Sequence, residues 1–219
     1  MPTTIHAVIF DLDGTLLDTL DDLANAANRV LAKRGFPTHS AADYCHFVGD
    51  GVGTLMARIL PPENRDESTL RQCIHEMKED YAQNWNVATK PYAGISEMLD
   101  GLHAQGLKLA VLSNKPQVFT DLCVNHQLPP GLFEAVLGQR EGVPVKPDPA
   151  GALEITRTLG VDPAACLYVG DTGTDMHTAV AAGMFPVGVL WGFRDEQELR
   201  DTGAKAIVGA PDEIASLTE

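Results

Sequence analysis

Ala7-Val8-Ile9-Phe10-Asp11-Leu12-Asp13-Gly14-Thr15 decides the fold. Four apolar residues run unbroken into two aspartates one residue apart, and then a glycine. A continuous apolar run bounded by turn signals reads as a strand buried on both faces, the habit of parallel sheets. In an open α/β sheet, ligands bind beyond the carboxyl ends of the strands. Side chains alternate along extended backbone. If Leu12 turns back to the core, Asp11 and Asp13 both face the crevice. Taken alone, the stretch equally fits a solvated acidic turn, so the rest of the chain must decide.

From Lys90-Pro91 onward, strands and helices alternate. Ile95, Met98, Leu99 and Leu102 form a helical stripe, followed by a strand over 107–112 closed by Ser113-Asn114. Further strands are expected at 133–137, 167–169, 186–190 and 206–208, with helices between them. This alternation implies βαβ units and a Rossmann-like parallel sheet with helices on both faces, an α/β fold.

Residues 18–85 interrupt the pattern with helix signals alone. Thr19-x-x-Asp22 and Ser40-x-x-Asp43 fit capping boxes. Leu20, Leu23, Ala27, Val30 and Leu31 make one stripe. Leu70, Ile74, Met77, Tyr81 and Trp85 make another, and Pro61-Pro62 separates the two helical stretches. The expected division is an α/β core of residues 1–17 and 86–219 and an inserted all-helical cap domain of residues 18–85.

The chain has 219 residues, 44% of them hydrophobic, enough for a sizeable core, and a net charge of -14. That charge disfavours nucleic acid or an anionic membrane as a partner. It also means that an anionic substrate must be captured locally, by a metal or a few placed cations. The four cysteines form no CxxC pair, and the seven histidines no HExxH. Reduced thiols and the lack of a signal peptide suit a cytoplasmic protein. No apolar run approaches the ~18 residues of a transmembrane span.

Polar residues recur after the strands: Asp11 and Asp13, Ser113 and Asn114, Lys146, then Asp171 and Asp175. In a parallel sheet these ends share one edge. Together they supply carboxylates for a hard cation, a hydroxyl and a lysine, which suits Mg²⁺ and phosphoryl transfer.

Asp11-Leu12-Asp13-Gly14-Thr15-Leu16, Leu112-Ser113-Asn114, Lys146-Pro147 and Gly170-Asp171-Thr172-Gly173-Thr174-Asp175 occur in that order and bracket nearly the whole chain. They resemble the four motifs of the haloacid dehalogenase superfamily of phosphohydrolases, which inserts a helical cap where residues 18–85 fall. The resemblance implies that Asp11 is the nucleophile, forming an aspartyl-phosphate. Asp13 would protonate the leaving oxygen and then activate water. Mg²⁺ would be held by Asp11, the Asp13 carbonyl and Asp171, with Asp175 supporting it directly or through a neighbour. Leu12, Asp13, Ser113, Asn114 and Lys146 would line the phosphate site.

Asp13 narrows the chemistry. Dehalogenases of this superfamily lack the second aspartate, and its ion-pump ATPases carry a lysine-threonine pair there. A phosphatase or a sugar phosphomutase remains, with a non-catalytic phosphate-binding module as the alternative from another class. The usual Ser-Arg pattern of mutase caps is absent, and a binding module has no need of Asp13. Gly49-Asp50-Gly51-Val52-Gly53-Thr54-Leu55 and Trp191-Gly192-Phe193 resemble stretches of phosphoglycolate phosphatases. A helix opening at Gly51 would attract a substrate carboxylate to its N-terminus, and Arg58 would add a cation. The expected partner is therefore a small phosphorylated metabolite, handled by a monomer or homodimer.

Overall fold

The computed structural model describes residues 4–218. Strand β1, Ala7–Phe10, is fully buried along its length. Burial of Val8, Ile9 and Phe10 is worth about 2 kcal/mol each, so the strand lies inside the sheet. It pairs in parallel with β4, Lys108–Pro116, on one side and with β6, Cys166–Gly170, on the other. The remaining partners are β5, Phe133–Gln139, β7, Phe185–Val189, and β8, Ala206–Val208. The order is β5-β4-β1-β6-β7-β8, every pairing parallel. Chain order thus reverses at β1, the position where doubly wound sheets open a crevice.

Between these strands run α5, Ile95–Ala104, α6, Gln117–Gln127, α7, Ala150–Leu159, α8, Gly173–Ala182, and α9, Glu196–Asp201. Ala152, Ile155 and Leu159 of α7 and Ala179 and Ala182 of α8 bury against Ala7, Ile9 and Tyr168 in one core cluster. The parallel α/β sheet expected from the apolar runs is the sheet observed. Strand β4 runs further than expected: Ser113 and Asn114 lie within it, and the register against β5 shifts between Leu112 and Pro116. Past Val111 the ladder continues on the β5 side alone, through Leu112–Leu137 and Pro116–Gln139.

Thr19–Lys90 forms one compact unit and the flanking sequence the other. The helical unit holds α1, Leu20–Lys33, α2, Ala41–Phe47, α3, Gly51–Ile59, and α4, Glu67–Asn84. Two short strands, β2, Leu17–Asp18, and β3, Lys90–Pro91, pair where the chain enters and leaves it. Helix α1 packs on α4, with Arg29–Asp80 and Arg34–Glu76 ion pairs along the seam. Ser40 and Asp43 form the capping box that their spacing predicts.

Thr19 and Asp22 do not form theirs. Thr19 makes no side-chain cap, and its buried hydroxyl lacks a hydrogen-bond partner. The Asp22 carboxylate instead accepts from the backbone N–H groups of Val87, Ala88 and Thr89, at 3.1, 3.0 and 2.9 Å, and from the Thr89 hydroxyl at 2.7 Å. Four donors outcompete the single N–H that a box would offer. The acid therefore ties residues 87–89 to α1. Among the described residues, no helix is long and apolar enough to cross a membrane.

Replacing Asp22 with Ala strands these donors, two of them on the buried Thr89. The expected loss is about 2–3 kcal/mol, read as a lower urea midpoint, with Asp22→Asn losing less.

Candidate active site

The end of β1 sits between two strand ends, and the register fixes what meets there. Phe10 pairs with Val111 of β4 and Val169 of β6. One step on, the Asp11 N–H donates to Val169 O at 2.9 Å, bringing Asp11 beside Gly170-Asp171. Leu12 is fully buried, so the chain turns its leucine to the core and leaves the flanking acids for the crevice.

Asp11 is 4% exposed. Its Oδ1 accepts from the Leu12 N–H at 2.7 Å and faces the Lys146 Nζ at 2.8 Å, contacts that fix the carboxylate plane. The same ammonium donates to Asp175 Oδ1 at 2.7 Å. The other oxygen of Asp175, Oδ2, caps α8, accepting from the Thr172 N–H and hydroxyl at 3.1 and 2.7 Å. Asp175 is thus engaged through both oxygens. Lys146 is held in its turn by Asn114, whose amide spans the lysine backbone: Oδ1 accepts from the Lys146 N–H at 2.9 Å and Nδ2 donates to its carbonyl at 3.1 Å.

Asp171 follows β6. It accepts from the Thr15 hydroxyl at 3.0 Å and from the Phe193 N–H at 2.9 Å. Trp191-Gly192-Phe193 packs closely on it, and the Trp191 indole N–H donates to Thr15 O at 2.9 Å. A Cβ on Gly192 would lie 2.3 Å from Asp171 Cβ, and one on Gly14, whose φ is +87°, 2.3 Å from Asp171 Oδ2. Both glycines are spaces that the carboxylate fills.

Asp13 faces a different cation. Lys115 Nζ donates to Asp13 Oδ1 at 2.9 Å and to Oδ2 at 3.2 Å. Ser113 is buried, and its Oγ accepts from the Lys115 N–H at 3.2 Å, so its own proton is the one it can donate. Sequence reasoning named neither Lys115 nor Thr15 as a site residue. The one available signal was a lysine directly after Ser113-Asn114.

The predicted residues of the core motifs therefore meet at one sheet edge. Gly51 and Arg58 belong to the helical unit. There the Arg58 guanidinium donates to Phe47 O at 2.9 Å and pairs with the Asp50 carboxylate. It clamps the turn between α2 and α3, and its charge is balanced there by Asp50.

Electrostatically the crevice is unfinished. Asp11, Asp171 and Asp175 bring carboxylate oxygens within 4.8 Å of one another, all three are buried, and the lysine in contact with them is Lys146. Burial and the Asp175 charge raise Asp11 well above the usual carboxylate range, although Lys146 pulls the other way. The same two causes push Asp171 up to about 7. Burial alone would lower Lys146, but Asp11 and Asp175 outweigh it and hold it raised. Three acids against one ammonium leave a negative excess that a divalent cation would neutralise. Oxygen donors of this kind suit Mg²⁺. Asp11, Asp171 and Asp175 together offer the oxygen set that such an ion would need.

A family model for haloacid dehalogenase-like hydrolases matches residues 8–189. The phosphoglycolate phosphatase of Thiobacillus denitrificans is 32% identical over 219 residues, covering 99% of this chain and 96% of that protein. That of Pseudomonas putida is 33% identical over 87% of this chain and 71% of its own length. A crystal structure from Lactobacillus delbrueckii, of a protein provisionally described as a phosphoglycolate phosphatase, superposes with a TM-score of 0.93. It is 31% identical, with 99% of each chain covered.

Two outcomes follow from this electrostatic strain and tight packing. Asp171, raised from 3.8 to about 7, contributes stability below the ordinary carboxylate range and loses it as pH climbs through 7. In metal-free protein, Asp171→Asn should therefore gain on the wild type by a few kcal/mol between about pH 4 and 7 in unfolding titrations. Mg²⁺ should raise the melting temperature of the wild type and not that of the variant. Separately, Gly192→Ala must displace Asp171. The Mg²⁺ concentration for half-maximal melting shift is expected to rise about tenfold or more.

Proposed function

The chain belongs to the haloacid dehalogenase-like hydrolase family and is a phosphoric monoester hydrolase. From that premise we propose that it is Mg²⁺-dependent and converts 2-phosphoglycolate to glycolate and phosphate through an aspartyl-phosphate. The observation that carries the chemistry is the different setting of the two acids. Asp11 is buried with its carboxylate plane fixed by Lys146 and the Leu12 N–H. Asp13 is two residues on, more open, and paired with another lysine. The first suits attack on phosphorus, and the second suits proton transfer at the oxygens entering and leaving.

In this reading, Asp11 forms a bond to phosphorus as the ester oxygen leaves with a proton from Asp13. Water then attacks the same phosphorus, gives its proton to Asp13 and frees Asp11. The Ser113 hydroxyl and the Lys146 ammonium hold phosphoryl oxygens through both steps. Asn114 and Asp175 act through Lys146, which they position. Mg²⁺, held by Asp11, Asp171 and the Asp13 carbonyl, would draw charge from the phosphoryl group.

We assign substrate choice to the helical unit as a cap. The Gly51 end of α3 offers backbone N–H groups to a second anionic group on the substrate, and Arg58 keeps that turn in shape through Phe47 and Asp50. A short phosphate ester bearing a carboxylate matches this. So do the names of the relatives, phosphoglycolate phosphatases.

A kcat/KM panel tests the substrate. It should compare 2-phosphoglycolate, sugar phosphates, nucleoside monophosphates and pyrophosphate. Phosphoglycolate is expected to lead by about tenfold or more; a sugar phosphate leading instead would overturn the choice. Activity should vanish in EDTA and return with Mg²⁺. Asp11→Asn should lose on the order of 10⁴-fold or more in kcat, and Asp13→Asn roughly 10²–10⁴-fold.

A further inference from the structure

Lys115 has no part in the reaction as set out so far, yet its placement is costly. Its side chain is 3% exposed, and its ammonium contacts both oxygens of Asp13, whose own side chain is 17% exposed. A buried ammonium is tolerated only where it is paired. The lysine's backbone is anchored too: its N–H donates to Ser113 Oγ at 3.2 Å, and its carbonyl accepts from the Thr120 hydroxyl at 3.1 Å. Thr120 is fully buried on α6. The ammonium is therefore tethered to a fixed point on β4, beside the end of β1. The Asp13 backbone bridges to Leu17, but among the described residues its carboxylate is seen to contact Lys115. Asp13 is the more open partner and lies just before Gly14. A carboxylate in that setting would otherwise exchange among rotamers and hydrate.

We propose that Lys115 is a positioning residue for Asp13. It holds the carboxylate at the one place from which a proton can pass to the leaving oxygen, and later from water. The inference rests on the two-step reading above. In step one the phosphorus–ester oxygen bond breaks, the Asp11–phosphorus bond forms and the Asp13 proton moves to the leaving oxygen. In step two the water oxygen bonds to phosphorus, the Asp11–phosphorus bond breaks and the water proton moves to Asp13. A leaving group that needs no proton, such as p-nitrophenolate, bypasses the first use of Asp13 but not the second.

That difference separates positioning from general damage. With radiolabelled p-nitrophenyl phosphate, Lys115→Met should form the acid-stable phosphoenzyme within about threefold of the wild-type rate. Its breakdown should slow by about 10–100-fold, so the phosphoenzyme accumulates. With 2-phosphoglycolate, formation itself should slow by a similar factor and no accumulation should follow. Lys115→Arg, which keeps two donors for the carboxylate, should recover most of the breakdown rate. In an Asp13→Asn background, Lys115→Met should cost less than about twofold more.

Formation and breakdown slowing by the same factor on the aryl ester, or neither slowing, would overturn the proposal. So would full additivity with Asp13→Asn. If Lys115→Met fails to fold by circular dichroism, Lys115→Arg carries the test alone. It must then show the same split on a smaller scale, and uniform effects would count against the proposal. A wild type that forms no phosphoenzyme would defeat the two-step reading itself, whereas a wild type that forms it and a variant that matches it would defeat only the role of Lys115.

Discussion

One buried ammonium, that of Lys146, lies between two buried carboxylates, and the crevice is arranged about it. Asp11 and Asp175 each stand within 2.8 Å of it. Pairing offsets the cost of burying these charges, and removing the cation would leave two buried carboxylates without it. The arrangement draws on separate parts of the fold. Strand β1 delivers Asp11, the N-terminal turn of α8 delivers Asp175, and Asn114 of β4 grips the lysine backbone. Asp175 belongs equally to a helix cap, so helix α8 and the charge balance are fixed by the same side chain. The fourth charged group, Asp171, falls outside the Lys146 pairing. Hydrogen bonds from Thr15 and Phe193 hold it without cancelling its charge. This is the geometry of a site built to be completed by something positive.

The topology explains why such an assembly forms at β1. Strand order reverses there, so β4 and β6 flank it and each contributes its own carboxyl-terminal loop. The core beneath is apolar and continuous, with β1 and β6 fully buried. Burial secures the register, and register puts Asp11 level with Gly170-Asp171. The chemistry is therefore a consequence of where hydrophobic strands stop.

The sheet and the core motifs were legible because burial is written locally. An apolar run followed by polar punctuation can be read within ten residues, as in Ala7 to Asp13 or Cys166 to Asp171. What was not legible depended on distant partners. Asp22 has a capping-box spacing and nonetheless binds a backbone segment 65–67 residues away. Arg58 looks like a spare cation on a helix and is a clamp on the preceding turn. Trp191-Gly192-Phe193 acts chiefly through an amide, an indole N–H and a missing Cβ, none of which leaves a charge pattern. Lys115 escaped notice for a different reason: as a lone cation after a strand, it resembles any solvated lysine until its depth is known.

Spacing presents Asp11 and Asp13 as a matched pair, and their surroundings separate them. Each has its own lysine: Lys115 lies in β4, and Lys146 in the loop that follows β5. Lys146 is buried and shared between Asp11 and Asp175, so in the proposed reaction it would steady Asp11 and temper its repulsion of an anionic substrate. Lys115 contacts both oxygens of Asp13, whose side chain is the more open of the two acids, as the proposed passage of a leaving oxygen and a water would need. A chain with a net charge of -14 has few cations to place. Burying two of them within reach of one pentapeptide concentrates positive charge at this sheet edge, where the proposed reaction would need it. The long-range field of the protein repels such a substrate, so capture and chemistry have to be the work of the same few groups.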